Sequence, residues 1–69
     1  MRNAIHLFAV IRVDADIKEL EDAITVKEVL PTREEAVSEV HRLNQLNAAK
    51  GCHYFWQTTR YRKPLRADS

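Results

Sequence analysis

The 69-residue sequence contains only one cysteine and one glycine, and this scarcity excludes several kinds of site. Cys52 has no partner within the chain, so we expect neither a disulfide framework nor a cysteine-rich zinc site, and a single thiol fits a reducing compartment. With Gly51 as the only glycine, the chain cannot build the glycine-rich loop that holds phosphate groups. Small domains that lack such supports commonly depend on oligomerisation, which we therefore expect here.

A long apolar run and an excess of one charge are also missing. The longest apolar segment covers residues 4–11, is interrupted by His6 and ends at Arg12, well short of the ~18 residues that suggest a membrane span. We expect no cleaved signal peptide, because its removal would take away the best predicted strand. A formal net charge of +1 gives no general attraction to nucleic acid or to an anionic membrane. We expect a cytoplasmic protein.

The clearest positive pattern is one amphipathic helix between residues 31 and 51. Thr32 and Glu35 have the spacing of a capping box, and Pro31 lies just before it. Gly51 is predicted to end the helix as a left-handed residue. At about 100° per residue, one stripe of the helix is predicted to face the core. Its members are Ala36, Val37, Val40, Leu43 and Asn47.

Two asparagines lie on or beside this stripe near the end of the predicted helix. Asn44 and Asn47 both carry amide groups that can donate and accept hydrogen bonds. We expect these amides to bond the backbone of the next strand or the last carbonyls of the helix, rather than a ligand.

Three strands are predicted, at residues 4–14, 23–30 and 52–63. The first strand is apolar on both of its faces, which is typical of a central strand covered on both sides. The second strand changes phase near Lys27 and Glu28, and this change predicts a β-bulge.

The connection between the first two strands is polar and acidic. Residues 14–22 contain five carboxylates and only Lys18 as a cation. Asp16 and Glu19 have a spacing that predicts the cap of a single helical turn in this connection.

The predicted fold is α+β, with elements in the order β-β-α-β. A three-stranded antiparallel sheet of order 2-1-3 carries one helix on one face. Residues 1–63 are predicted to form one domain and residues 64–69 a flexible tail. Because one helix covers only one face of the sheet, the other face would be exposed in a monomer. We therefore expect a symmetric homodimer, formed either sheet on sheet or edge to edge.

No pattern in the sequence predicts catalysis, a cofactor or a metal ion. Cys52 follows the negative end of a helix dipole, which disfavours a reactive thiolate. The histidines and Cys52 do not have metal-ligand spacing, and the acidic connection does not match an EF-hand loop. We name no catalytic, cofactor-binding or metal residue and lean against an enzyme, although a site assembled at a subunit interface stays open as a third hypothesis.

The last strand carries the sharpest functional pattern. Tyr54, Trp56, Arg60 and Arg62 are the candidate ligand or partner surface, because aromatic rings and cations alternate there. This mixture is typical of proteins that bind single-stranded nucleic acid. The alternative is that the aromatics pack on the helix and across a dimer. We take a small, non-catalytic, homodimeric protein-interaction module as the main hypothesis, and single-stranded RNA binding by this strand as the alternative.

Residues 32–60 contain the motif R-L-N-Q-L-N followed by K-G-C-H-Y-F-W-Q-T-T. This stretch resembles a pattern found in small bacterial proteins of unassigned function. The resemblance implies a bacterial origin. It carries no activity, cofactor or binding residue to transfer to this chain.

Overall fold

The computed structural model describes residues 4–62, which form three strands and two helices. In chain order these are β1 (Ala4–Asp14), α1 (Leu20–Ala23), β2 (Ile24–Leu30), α2 (Arg33–Leu46) and β3 (Cys52–Arg62). Each predicted strand is present, with bounds within one residue of the prediction. The predicted tail at residues 64–69 lies outside the described residues.

The strands form one antiparallel sheet of order β2-β1-β3, which confirms the predicted α+β fold. β1 is central, as its two apolar faces indicated. The ladder between β1 and β2 shifts register between Val10 and Ile11, whose partners are Glu28 and Val26. Lys27 is therefore the extra residue of a bulge, and the predicted bulge is confirmed.

The start of α2 carries the threonine half of the predicted capping box. The Glu35 backbone N–H donates to Thr32 Oγ1 at 3.2 Å, and the Thr32 hydroxyl donates to Glu35 Oε2 at 3.0 Å. The Glu35 carboxylate accepts from the Thr32 hydroxyl and not from the Thr32 backbone N–H, so the glutamate half of the predicted box was wrong. This arrangement satisfies one of the N–H groups that a helix leaves unpaired at its first turn.

The end of α2 differs from the prediction, because Gly51 is not its terminating residue. The helix ends at Leu46, and the backbone N–H and the side-chain amide of Asn47 both donate to the Leu43 carbonyl, at 3.0 and 2.8 Å. Gly51 lies four residues beyond Asn47, with φ 71°, at the point where the turn enters β3. The left-handed conformation was predicted correctly, but it serves the entry to the strand.

The single helical turn predicted between β1 and β2 is present, but the predicted cap of this turn was wrong. α1 begins at Leu20 with Glu19 at the N-cap position, and no side chain caps it. Asp16 lies outside the turn. Ala23, the last residue of α1, is buried.

The core lies between α2 and one face of the sheet. Val10, Ala36 and Tyr54 form its buried centre. Val37 was predicted to face this core, but its side chain is 47% exposed, since the contact follows the narrower stripe through Ala36, Val40 and Leu43. The partly buried residues around the centre are Phe8, Leu30, Val40, Leu43, Cys52 and Trp56.

Neither helix in the described residues has the length and apolar character needed to cross a membrane.

Candidate functional site

The face of the sheet opposite α2, which we call the open face, has no covering layer within residues 4–62. Side chains alternate between the two faces of a strand, and residues paired across an antiparallel ladder share a face. Val10 packs under the helix, so its neighbours Ala9 and Ile11 lie on the other side. By the same register, the open face comprises Ile5, Leu7, Ala9, Ile11, Val13, Ile24, Val26, Val29, His53, Phe55, Gln57, Thr59 and Tyr61.

The open face is apolar and carries no acidic residue, lysine or arginine among these positions. The β2 residues on it are strongly exposed, with Ile24 at 44%, Val26 at 58% and Val29 at 48%. Ile5 and Tyr61, at the other end, are also exposed. Single exposed apolar residues are ordinary, but a continuous apolar face marks an interaction site.

The four candidate residues from the sequence share the opposite face of the sheet, on the side of α2. Tyr54 is only 3% exposed and belongs to the core, so its ring does not face a ligand, and we remove it from the candidate set. Trp56 is half-buried, and its ring meets that of Phe8 edge to face, with ring centroids 6.0 Å apart. Arg60 and Arg62 are exposed.

The two arginines lie on a two-stranded extension of the sheet, which we call the arm. The β2 ladder stops where Leu30 pairs with Phe8, whereas β1 and β3 remain paired to the end of the described residues. The arm consists of residues 4–7 and 59–62. His6 lies opposite Arg60, so the helix side of the arm is basic, while its other side continues the apolar open face.

Asn44 attaches α2 to the outer edge of β3, as predicted. Its side-chain Nδ2 donates to the Tyr54 carbonyl at 2.9 Å, and its Oδ1 accepts from the Tyr54 N–H at 2.8 Å. The amide therefore occupies the place of a neighbouring strand at this residue. It also shows that the N–H and C=O of Tyr54 point away from β1.

An acidic groove of about 400 Å³ runs between β2 and α2 on the helix side. A hydrogen bond with Glu39 raises the pKa of Glu28, whereas the hydrogen bonds that Arg42 donates to Glu39, at 2.6 and 3.0 Å, lower the pKa of Glu39. The groove is lined by Glu28, Leu30, Glu34, Glu35, Ser38 and Glu39.

Titratable residues do not converge elsewhere in the described part of the chain. Residues 4–62 contain no group of three or more histidine, cysteine or acidic side chains placed to hold a metal ion. Asp14, from the acidic connection, accepts hydrogen bonds from Arg12 at 2.8 and 3.0 Å. Cys52 is partly buried and packs against the core.

The chain matches no family model, no curated protein and no solved structure. The sequence resemblance to small bacterial proteins therefore stays a prediction, and the function must be argued from the surfaces described above.

The sequence predicted an exposed apolar face and left open whether it carries the His6, Phe8 and Val10 side of β1 or the alternate set, which is the one observed. The missed members are the β2 residues Ile24, Val26 and Val29, whose spacing does not alternate regularly. The signal was the phase change at Lys27, since a bulge puts Val26 and Val29 on the same face.

Replacing Asn44 with alanine tests the attachment of α2 to β3. The variant loses both bonds to Tyr54 and leaves two partly buried backbone groups without protein partners. We expect the free energy of unfolding to fall by about 2 kcal/mol. Urea denaturation measures this loss. Gln45→Ala, one residue further on the exposed side of α2, is the control and should change stability by less than about 0.5 kcal/mol.

Proposed function

We propose that this protein is a small, non-catalytic, homodimeric protein-interaction module, and that the open face is its self-association surface. The observation that carries the proposal is the apolar, uncharged character of the open face beside a core on the other side. The expected cytoplasmic location is part of this proposal.

The size of the open face supports a second copy as its occupant. Strands lie about 4.8 Å apart and rise about 3.3 Å per residue, so strands of 11, 7 and 11 residues present a flat area of about 450 Å². Side chains add relief to this plane, so two such faces would remove roughly 1,000 Å² from water. This area reaches the lower bound for a specific interface. A second copy also offers a face of the same size and character.

The small core leaves the monomer with little buried apolar area, which favours association. Only five hydrophobic residues in the described part of the chain are classed as buried, and three of them are alanines: Ala9, Ala23 and Ala36. Alanine contributes little apolar area. A domain of this size obtains much of its stability from burial, and covering the open face would add larger side chains such as Ile11 and Phe55.

A matched pair of valine substitutions tests the open face. Val26 is 58% exposed on the open face, and Val37 is 47% exposed on the outside of α2, so each can be changed to glutamate with little loss of monomer packing. We expect Val26→Glu to lower the solution mass at tens of micromolar. Burying a carboxylate without a partner in an apolar interface weakens the free energy of association by roughly several kcal/mol. Val37→Glu should leave the mass unchanged.

Sedimentation or light scattering measures the mass of all three proteins. The proposal fails if Val26→Glu and Val37→Glu both keep the wild-type mass, or if the wild-type protein is monomeric at these concentrations. A thermal scan of each variant checks that it is folded.

Single-stranded RNA binding is the second candidate function. The observation in its favour is that Trp56, Arg60 and Arg62 lie on one face, with His6 beside Arg60. Against it, the exposed ring of Tyr61 and the ring of Phe55 lie on the open face, which has no lysine or arginine to contact phosphates. Among the described residues, the one strongly exposed aromatic ring, that of Tyr61, therefore lies on the side of the sheet opposite to the arginines, and nucleic-acid binders need stacking surface and charge together.

A fluorescence titration distinguishes the two functions. Trp56 is the only tryptophan, so its emission reports on this face. We expect a single-stranded RNA of mixed sequence to cause no salt-dependent change up to high micromolar concentration. A saturable change that weakens steeply with added salt would favour the RNA-binding function instead.

A further inference from the structure

The two edges of the sheet are protected unequally. β2 is a short edge strand of seven residues, is bent by the bulge at Lys27 and is followed directly by Pro31. Natural proteins prevent another strand from pairing with an edge by making the edge strand short or bulged, or by placing a lysine or a proline on it. The β2 edge is therefore closed to pairing.

The β3 edge has few of these devices. β3 is 11 residues long, contains no proline and pairs with β1 without any shift of register. Its only charged residues, Arg60 and Arg62, lie at its end. A long, regular edge strand of this kind is a template for pairing with another chain.

Asn44 defines which part of the β3 edge is free. In an antiparallel ladder, the N–H and C=O groups of alternate residues point to opposite sides of the strand. Tyr54 directs its groups to the outer side, where Asn44 bonds them, so the even-numbered residues after it direct theirs outward as well. The free edge within the described strand consists of Trp56, Thr58, Arg60 and Arg62.

We propose that this edge pairs antiparallel with the same edge of a second copy, with the two-fold axis at Thr59. In this register Trp56 lies opposite Arg62 of the partner subunit, and Thr58 lies opposite Arg60 of the partner subunit. All four free residues of each copy are hydrogen-bonded, and Tyr54 keeps its bonds to Asn44. An axis at Thr58 or Gln57 would place Tyr54 in the paired region, where Asn44 blocks it.

The pair at each end of this register joins an aromatic ring to a cation. Residues that lie opposite each other across a ladder share a face, so Arg62 lies beside the half-buried ring of Trp56 of the partner subunit on the helix side. An arginine placed against a tryptophan ring is stabilised by a cation–π interaction. The pairing thereby gives Trp56 and Arg62, two of the candidate residues from the sequence, a common role.

Edge pairing is independent of the open face and compatible with it. The two-fold axis that relates two chains paired at their β3 edges is perpendicular to the sheet. The two-fold axis that relates two chains packed through their open faces runs between the two sheets, parallel to them. Both together give a tetramer of two six-stranded sheets packed face to face, with all four α2 helices outside. This tetramer rests on the proposed function, but the edge dimer does not.

Register-specific crosslinking tests the edge pairing. Both test proteins carry Cys52→Ala, which removes the native thiol, and Val26→Glu, which removes the open-face association. One of them then carries Thr59→Cys and the other Thr58→Cys. At the axis, the two Thr59 positions would have Cα atoms about 4.5 Å apart, within the range of a disulfide. The two Thr58 positions would be about 7–8 Å apart, which is beyond that range.

With oxidised glutathione as the oxidant, we expect the Thr59→Cys protein to form a covalent dimer more than about tenfold faster than the Thr58→Cys protein. Equal rates, or no dimer with Thr59→Cys, would overturn the proposal. Because Val26→Glu removes the open-face contact in both proteins, a failure of the edge pairing is distinguishable from a failure of the proposed function.

A proline variant provides the second measurement. Thr58 directs its N–H outward, so Thr58→Pro removes an edge donor and leaves the ladder to β1 intact. We expect Thr58→Pro to halve the solution mass relative to the wild-type protein, whether or not the open faces also associate, and Thr58→Val to leave the mass unchanged. An unchanged mass with Thr58→Pro, in a protein that thermal unfolding shows to be folded, would contradict the edge pairing.

Discussion

One helix covers only one face of a three-stranded sheet, and the rest of this structure depends on that constraint. α2 packs on Val10 and Tyr54, so the alternate residues of the same strands form a second apolar surface with no layer over it. The smallest extent of the Cα trace is 14 Å, which leaves room for only two layers. Association is the physical route by which such a chain buries its second face.

The distribution of charge indicates what kind of partner the open face suits. Charged side chains are absent from the open face and are found instead in the acidic connection, the groove beside β2 and the basic side of the arm. A face without charges suits another apolar face and does not suit a polyanion. The separation of Arg60 and Arg62 from the open face therefore favours protein over nucleic acid as the partner.

Local signals in the sequence predicted the elements well. The Thr32 cap, the bulge at Lys27 and the central position of β1 each have one local physical cause, and the structure confirms all three. The helix end has a local cause, because Asn47 donates to the Leu43 carbonyl, and the prediction placed the end too late by relying on Gly51. The exposure of Val37 depends on tertiary packing, which no local pattern contains. The burial of Tyr54 likewise required knowing which face α2 covers. The sequence predicted that the Asn44 amide bonds backbone of the next strand, but which residues of the β3 edge stay free depends on the direction of the Tyr54 backbone groups in the fold.

The most direct test of the central claim is the thermal midpoint of the Thr58→Pro protein, in which only the open face can associate, over a hundredfold range of concentration. If the open face is covered by a second copy, association stabilises the folded dimer by about 1.4 kcal/mol, which is about 0.7 kcal/mol per chain, for each tenfold rise in concentration in the associated regime, and the midpoint should rise with it. A midpoint that stays constant over the whole range would mean that the chain folds as a stable monomer with its apolar face exposed, and would contradict this account.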